Sequence, residues 1–136
     1  MKYLLDTNIV SEIRKKKAEP KVIAWVNSIS NENLFISVLT IGEIRQGIEK
    51  VKEAKKKEEL NLWLDQKLRP WFGENIIAID IEVAEKWGQI SSGPTLPAID
   101  SLIAATALAK NLVLVTRNSS DFSVSGLTVF NPFKDF

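Results

Sequence analysis

Four carboxylates, Asp6, Glu43, Asp100 and Asp121, are widely separated in the chain, yet each falls where an apolar strand ends or an apolar helix begins. In a parallel α/β fold the strand C-termini and the following helix N-termini share one edge of the sheet, where ligands bind. Four acids gathered there repel one another unless a cation joins them. An all-oxygen donor set favours Mg²⁺ or Mn²⁺ over zinc, and Mg²⁺ usually keeps several waters while using a few carboxylates. Such an ion lowers the pKa of its water, neutralises phosphoryl oxygens and stabilises a leaving oxygen, which is the chemistry of a nuclease.

Composition narrows the alternatives. The chain has no histidine, which removes the usual neutral-pH base, the Ser-His-Asp triad and imidazole metal sites. It also has no cysteine, so disulfides, thiolate zinc sites and thiol nucleophiles are excluded, in agreement with a reducing compartment. Any hydrolysis must therefore run on carboxylates, hydroxyls, lysines or a metal.

The four acids differ in what they imply singly. Asp6, at a strand end, is a good helix cap. Glu43 shares a helical row with Leu39 and Gly47 beside the Ile41/Ile44/Ile48 stripe, leaving a functional role and a partly buried ion pair both open. Asp100 starts a helix, Ile99 to Ala109, that is small and apolar almost all round. Ile103, Ala104 and Ala107 lie on its own face, so its carboxylate is expected to enter the interior, where an unpaired charge is costly. A helix N-terminus offsets at most about 2 kcal/mol of that, so a cation is needed, or Arg45 or Arg117. Asp121 follows the turn Arg117-Asn118-Ser119-Ser120 and taken alone is an ordinary turn aspartate. Asn8, Thr116 and Asn118 are polar groups at the same expected edge, able to orient carboxylates or water or simply to serve caps and turns.

The elements that must position these residues follow from hydropathy. Strands are expected at residues 2–6, 34–37, 76–79 and 112–116, with an edge strand at 127–130. Between them lie helices over about 8–16, from Pro20, over 38–50, after the Asp80 cap and from Pro97. Leu60, Trp63, Leu64, Leu68 and Trp71 recur at helical spacing before Gly73; core packing is the plainer reading of that face, and dimer or partner contact the second. Ser91-Ser92-Gly93-Pro94 reads as loop. Strands alternating with helices imply right-handed βαβ units around a mostly parallel sheet.

At 136 residues a single domain over 1–136 is expected. No run is apolar enough to span a bilayer, and an acid at position 6 comes too early for a signal peptide, which points to the cytoplasm. The net charge of +1 neither demands nor excludes a nucleic-acid partner. Arg14 to Lys17, and Lys50, Lys52, Lys55, Lys56 and Lys57, are basic clusters of a kind that most often form solvated helix faces.

Leu4-Leu5-Asp6-Thr7-Asn8, Gly42-Glu43 through Gly47-Ile48, Leu96-Pro97-Ala98-Ile99-Asp100 through Ala107, and Val115-Thr116-Arg117-Asn118-Ser119-Ser120-Asp121-Phe122 together resemble PIN-domain ribonucleases. Within that family they are similar to the VapC and FitB-like toxins of prokaryotic toxin–antitoxin pairs. The resemblance runs almost the whole chain, to Asn131-Pro132-Phe133. It implies a three-layer α/β/α fold in which Asp6, Glu43, Asp100 and Asp121 are catalytic and hold one or two Mg²⁺ or Mn²⁺ ions, supported by Asn8, Thr116 and Asn118. It further implies endonucleolytic cleavage of structured RNA, often transfer or ribosomal RNA, a homodimer, and inhibition by a small antitoxin whose C-terminal segment enters the acidic groove. Asn118 departs from family members that place another acid near this turn. Two rivals remain at this level: a PIN-like RNA-binding or interaction module with a degenerate site, which the presence of all four acids opposes, and a phosphatase using Asp6 as nucleophile. The phosphatase pattern puts a second aspartate where Asn8 stands, and its cap domain has no room here.

Overall fold

The strand-forming runs are apolar on both faces, so each needs cover above and below. The computed structural model describes residues 1–91 and 96–136; Ser92, Gly93 and Pro94 of the expected loop lie outside the described residues. Five short strands, β1 (Tyr3–Leu5), β2 (Leu34–Ser37), β3 (Ile76–Ile77), β4 (Val113–Val115) and β5 (Val129–Phe130), form one sheet in the order β3-β2-β1-β4-β5. All four pairings are parallel. β2 spans the expected residues 34–37, while the other strands are shorter than hydropathy suggests, β1 because Asp6 turns out of it to cap α1.

Alternation along the strands divides the core in two. Leu5, Leu34, Ile36 and Val115 point to one face, covered by α1 (Thr7–Arg14), α2 (Pro20–Ser28), α3 (Val38–Glu49) and the helices that follow it. Leu4 and Leu114 point to the other, covered by α6 (Ile81–Ile90) and α7 (Ala98–Ala109). The result is the three-layer α/β/α arrangement expected. Leu4 and Leu5 are both fully buried on opposite faces, each contributing roughly 1.5–3 kcal/mol of burial.

The expected amphipathic helix departs from regularity. Residues 54–72 run as α4 (Ala54–Trp63), a π-helical segment Leu64–Leu68, and α5 (Arg69–Phe72). Pro70 has no N–H and its ring opposes the carbonyl one turn earlier; the chain widens immediately before it, with the Arg69 N–H reaching the Leu64 carbonyl. Leu64 and Leu68 are buried, and Leu60, Trp63 and Trp71 pack partly buried against the same core, so intramolecular packing accounts for most of that face. Arg45 of α3 bonds Asn61 and pairs with Asp65 at 2.7 Å, tying α3 to this irregular helix. On the other face, Asp80 caps α6 by accepting from the Val83 N–H, and Lys110 bridges Asp80 and Glu82 at 2.7 Å each. Among the described residues no buried side-chain polar atom lacks a partner.

A Cβ added at Gly42, inside α3, meets nothing within 4 Å. Gly42→Ala should therefore stabilise the protein by about 0.5–1 kcal/mol through helix propensity alone. Leu64→Ala should cost about 2–5 kcal/mol as a core truncation. Urea unfolding midpoints, read with the denaturant slope unchanged, check both.

Candidate active site

The order β3-β2-β1-β4-β5 reverses its direction of winding between β1 and β4, and a crevice opens at the carboxyl ends of those two strands. Register places the side chains there. Leu5 pairs with Val115, and the Asp6 N–H donates to the Val115 carbonyl at 2.9 Å, so Asp6 leaves β1 beside Thr116.

Asp6 is 6% exposed. Its Oδ1 accepts from the Thr7 N–H at 2.8 Å, capping α1, while Oδ2 accepts from the Thr116 hydroxyl at 2.9 Å and from Asn8 Nδ2 at 3.4 Å. Burial raises its pKa above the ordinary aspartate value; the Thr116 and Thr7 hydrogen bonds oppose the rise, and the Glu43 charge adds to it. Glu43 arrives from α3, whose first turn is capped by Ser37 accepting from the Leu39 N–H. The Thr7 hydroxyl donates to Glu43 Oε1 at 2.6 Å and is in hydrogen-bond contact with Thr40 Oγ1 at 3.1 Å. Gly47, one turn beyond Glu43, faces open space and borders a hollow that Glu43 also lines, so close helix packing does not require it.

Asp100 enters from the first turn of α7. Contrary to expectation its carboxylate lies partly exposed at the groove and not in the interior. The apolar face of α7 becomes buried only one turn further in, at Ile103, Ala104 and Ala107. Its pKa is nevertheless raised, by burial first and then by the charges of Asp6 and Asp121. Neither arginine considered as its counterion bonds to it: Arg45 is held by Asn61 and Asp65, and the Arg117 guanidinium lies 4.7 Å from the Phe133 ring centroid.

Asp6, Glu43 and Asp100 border one open groove of ≈ 450 Å³, with Asn8, Arg117 and Asn118 among its walls. Asp121 is exposed on the short helical turn Ser119–Asp121 and borders a neighbouring hollow beside Ser101 and Leu96. Its charge reaches Asp100. Thr116 and Asn8 bond Asp6 directly, whereas Asn118 reaches Thr116 Oγ1 through its backbone N–H at 3.2 Å. Asn131, buried behind the turn, donates to the Arg117 carbonyl at 3.0 Å and holds the post-β4 loop against the end of β5.

Three contributors went unassigned from sequence. Thr7, beside the Asp6 cap, carries no separate signal in the sequence. Thr40, a buried polar residue one turn before Glu43 and one turn before Ile44 of the core stripe, could have been found by that mismatch. Glu12 is a further acid of the groove, but it accepts from the Glu19 N–H at 2.9 Å and from Lys15 at 3.0 Å; those bonds hold its pKa low and commit it to the α1–α2 turn.

The donor set is wholly oxygen, and Asp6 and Asp100 carry raised pKa values partly because like charges face them with no bonded cation between. That chemistry fits a hard divalent ion. Among the described residues no three carboxylates stand close enough together to enclose an ion, so an ion here would draw on one or two carboxylates and water, the usual habit of Mg²⁺.

An all-parallel α/β sheet with carboxylates converging at its switch point is the class that fold and site define. A family model described as PIN domain matches residues 3–124, and the chain belongs to that family. It is 36% identical to Toxin FitB of Neisseria gonorrhoeae, over 97% of this chain and 99% of that protein. It is 28% identical to a VapC ribonuclease of Sinorhizobium fredii, over 96% and 97%. Among solved structures it superposes on FitAcB from Neisseria gonorrhoeae with TM-score 0.91 at 35% identity, covering 97% of this chain and 99% of that one. A toxin-antitoxin complex from Klebsiella pneumoniae gives TM-score 0.71 at 27% identity, covering 96% and 97%.

A raised aspartate pKa means that the folded state holds the proton more tightly than the unfolded chain does. Its contribution to stability is complete below the unfolded value, here 3.8, and is lost as pH rises through the higher folded value. Asp100→Asn should therefore raise the thermal midpoint at pH 7, and its advantage over the parent should shrink as pH falls toward 4. Differential scanning fluorimetry across that range reads the difference; an advantage that grows on acidification contradicts the assignment.

Proposed function

We propose that this chain, as one PIN domain, is a metal-dependent endoribonuclease and the toxin of a toxin–antitoxin pair. The observation that carries this reading is the convergence of Asp6, Glu43 and Asp100 on one groove, where burial and then the Glu43 charge raise the Asp6 pKa, and burial and then the Asp6 charge raise that of Asp100. Three acids held in repulsion, at some cost to stability, favour a site selected to bind a cation. The similarity to Toxin FitB and to a VapC ribonuclease supports the choice of RNA as substrate.

A divalent ion, Mg²⁺ or in its place Mn²⁺, supplies a lowered water pKa and neutralisation of phosphoryl charge when bound. The chain's own residues do the positioning. Asp6 is fixed by three donors and by its place in the sheet, so it presents an immobile carboxylate. Glu43 is turned toward the groove by Thr7. Asp100, with no hydrogen-bonded partner among the described residues, retains its lone pairs for a ligand. Asp121 acts at longer range, through its charge or through water. Thr116 and Asn8 keep Asp6 oriented, the role that supporting hydrogen bonds play around metal ligands.

The phosphatase alternative is disfavoured by Asp6 itself: both its oxygens already accept hydrogen bonds and it is almost fully buried, a poor state for a nucleophile. As a toxin the protein would have a cognate antitoxin; the toxin-antitoxin complex among its structural neighbours supports that partner. A homodimer belongs to the same reading. No helix among the described residues is long and apolar enough to cross a membrane.

Purified, antitoxin-free protein should cleave cellular RNA with Mg²⁺ or Mn²⁺ and fall silent in chelator. Asp100→Asn should lose about a hundredfold or more, and Thr7→Val, which removes the Glu43 donor together with the Thr40 contact, about tenfold to a hundredfold. Metal should also raise the thermal midpoint of the parent more than that of Asp100→Asn. No cleavage with either ion, or an Asp100→Asn variant as fast as the parent, sinks the reading.

A further inference from the structure

The two basic clusters, forty residues apart in the chain, meet in space. The acidic groove of Asp6, Glu43 and Asp100 adjoins a second hollow of ≈ 280 Å³, the two sharing Thr7, Ser11 and Glu43 as walls. That second hollow shares Arg14, Lys56, Leu60 and Trp63 with a third, of ≈ 530 Å³, which Lys16 and Lys55 also line. The shared walls set the three hollows in a row, a channel from the acids, between the end of α1 and the start of α4, to a basic mouth.

Charge along the channel is unevenly compensated. Three lysines outside the channel mouth are held in ion pairs: Lys15 with Glu12, Lys57 with Glu49, Lys110 with Asp80 and Glu82. Among the described residues Lys16, Lys55 and Lys56 make no ion pair, and all three are exposed. Two acids, Glu53 and Glu59, line the mouth against four basic groups. The Arg14 guanidinium lies 6.0 Å from the Trp63 ring centroid, so a cation and an aromatic ring form one wall. Cationic groups flanking an aromatic side chain are the ingredients that bind single-stranded nucleic acid, by phosphate attraction and base stacking.

We infer that the channel lined by Arg14, Lys16, Lys55, Lys56 and Trp63 is the track that holds a single-stranded stretch of RNA and feeds its backbone to the acidic edge. The inference rests on the ribonuclease reading and adds to it the direction from which substrate enters. It also explains how a chain of net charge +1 attracts a polyanion to a site built of acids: the attraction is local and adjacent, not global.

The test is binding of a fluorescein-labelled, unstructured twelve-nucleotide RNA to antitoxin-free protein in chelator, where no cleavage interferes, at several salt concentrations. A triple variant, Lys16→Ala, Lys55→Ala and Lys56→Ala, should bind at least about tenfold more weakly, with a log affinity against log salt slope shallower by about 2. Trp63→Leu, which keeps an apolar side chain against the core, should weaken binding about tenfold and leave the salt slope unchanged. The thermal midpoints of both variants confirm that they are folded. Equal binding by parent and triple variant at every salt concentration overturns the track, whether or not the protein cuts RNA. A triple variant that binds RNA like the parent but no longer co-purifies with the antitoxin assigns the channel to the protein partner, and likewise overturns it. RNA held by the parent in the expected way but never cleaved on adding metal leaves the track standing and removes the nuclease reading alone.

Discussion

The structure is organised around one carboxylate that it does not stabilise well. Asp6 leaves a central strand, is 6% exposed, and faces Glu43 with no bonded cation. Burial and like charge both oppose its ionisation. Three donors answer them: the Thr7 amide at the start of α1, the Thr116 hydroxyl across the β1–β4 ladder, and the Asn8 side chain. The helix N-terminus contributes in the same direction, by at most about 2 kcal/mol. Their sum falls short of full compensation, since the Asp6 pKa remains raised. Tension of this sort is what a cation-binding edge requires before the cation arrives.

The rest of the fold serves to keep that edge in place. β1 sits between β2 and β4, so α3, which follows β2, and α7, which leads back into β4, both begin at the edge where Asp6 leaves β1. Two separate apolar clusters grip the sheet from opposite faces, and α7 is buried along most of its length, which makes Asp100 a rigid contributor despite its partial exposure. Small polar residues complete the frame. Thr7 links Asp6's own helix to Glu43, and Asn131 pins the loop after β4 through the Arg117 carbonyl. None of these contacts touches a ligand; each removes a freedom that would otherwise blur the groove.

Element types were legible because they rest on local patterns. The apolar runs at Leu34-Phe35-Ile36 and Val113-Leu114-Val115 allowed no solvated face, and Asp6 and Asp80 announced the helices they cap. The π-helical segment before Pro70 was not legible as such, because hydropathy at i, i+4 spacing tolerates one widened turn without losing its stripe. Asp100 was read as an interior charge from its helical face, yet the depth at which a face becomes buried depends on where the helix starts relative to the sheet edge. That is a tertiary quantity.

The sequence by itself determined which residues could perform carboxylate chemistry, since the absence of histidine and cysteine left few others, and it determined the alternation of strands and helices that brings them to one edge. Only the tertiary structure decided how they are shared out there. It put Asp6, Glu43 and Asp100 on one groove and Asp121 on its neighbour, gave Thr116 and Thr7 their partners, and brought two basic clusters to one hollow. The physical reason is range. Propensity, capping and hydropathy act over a few residues, whereas desolvation, like-charge repulsion and groove continuity depend on distances that only the packed sheet and its crossings set.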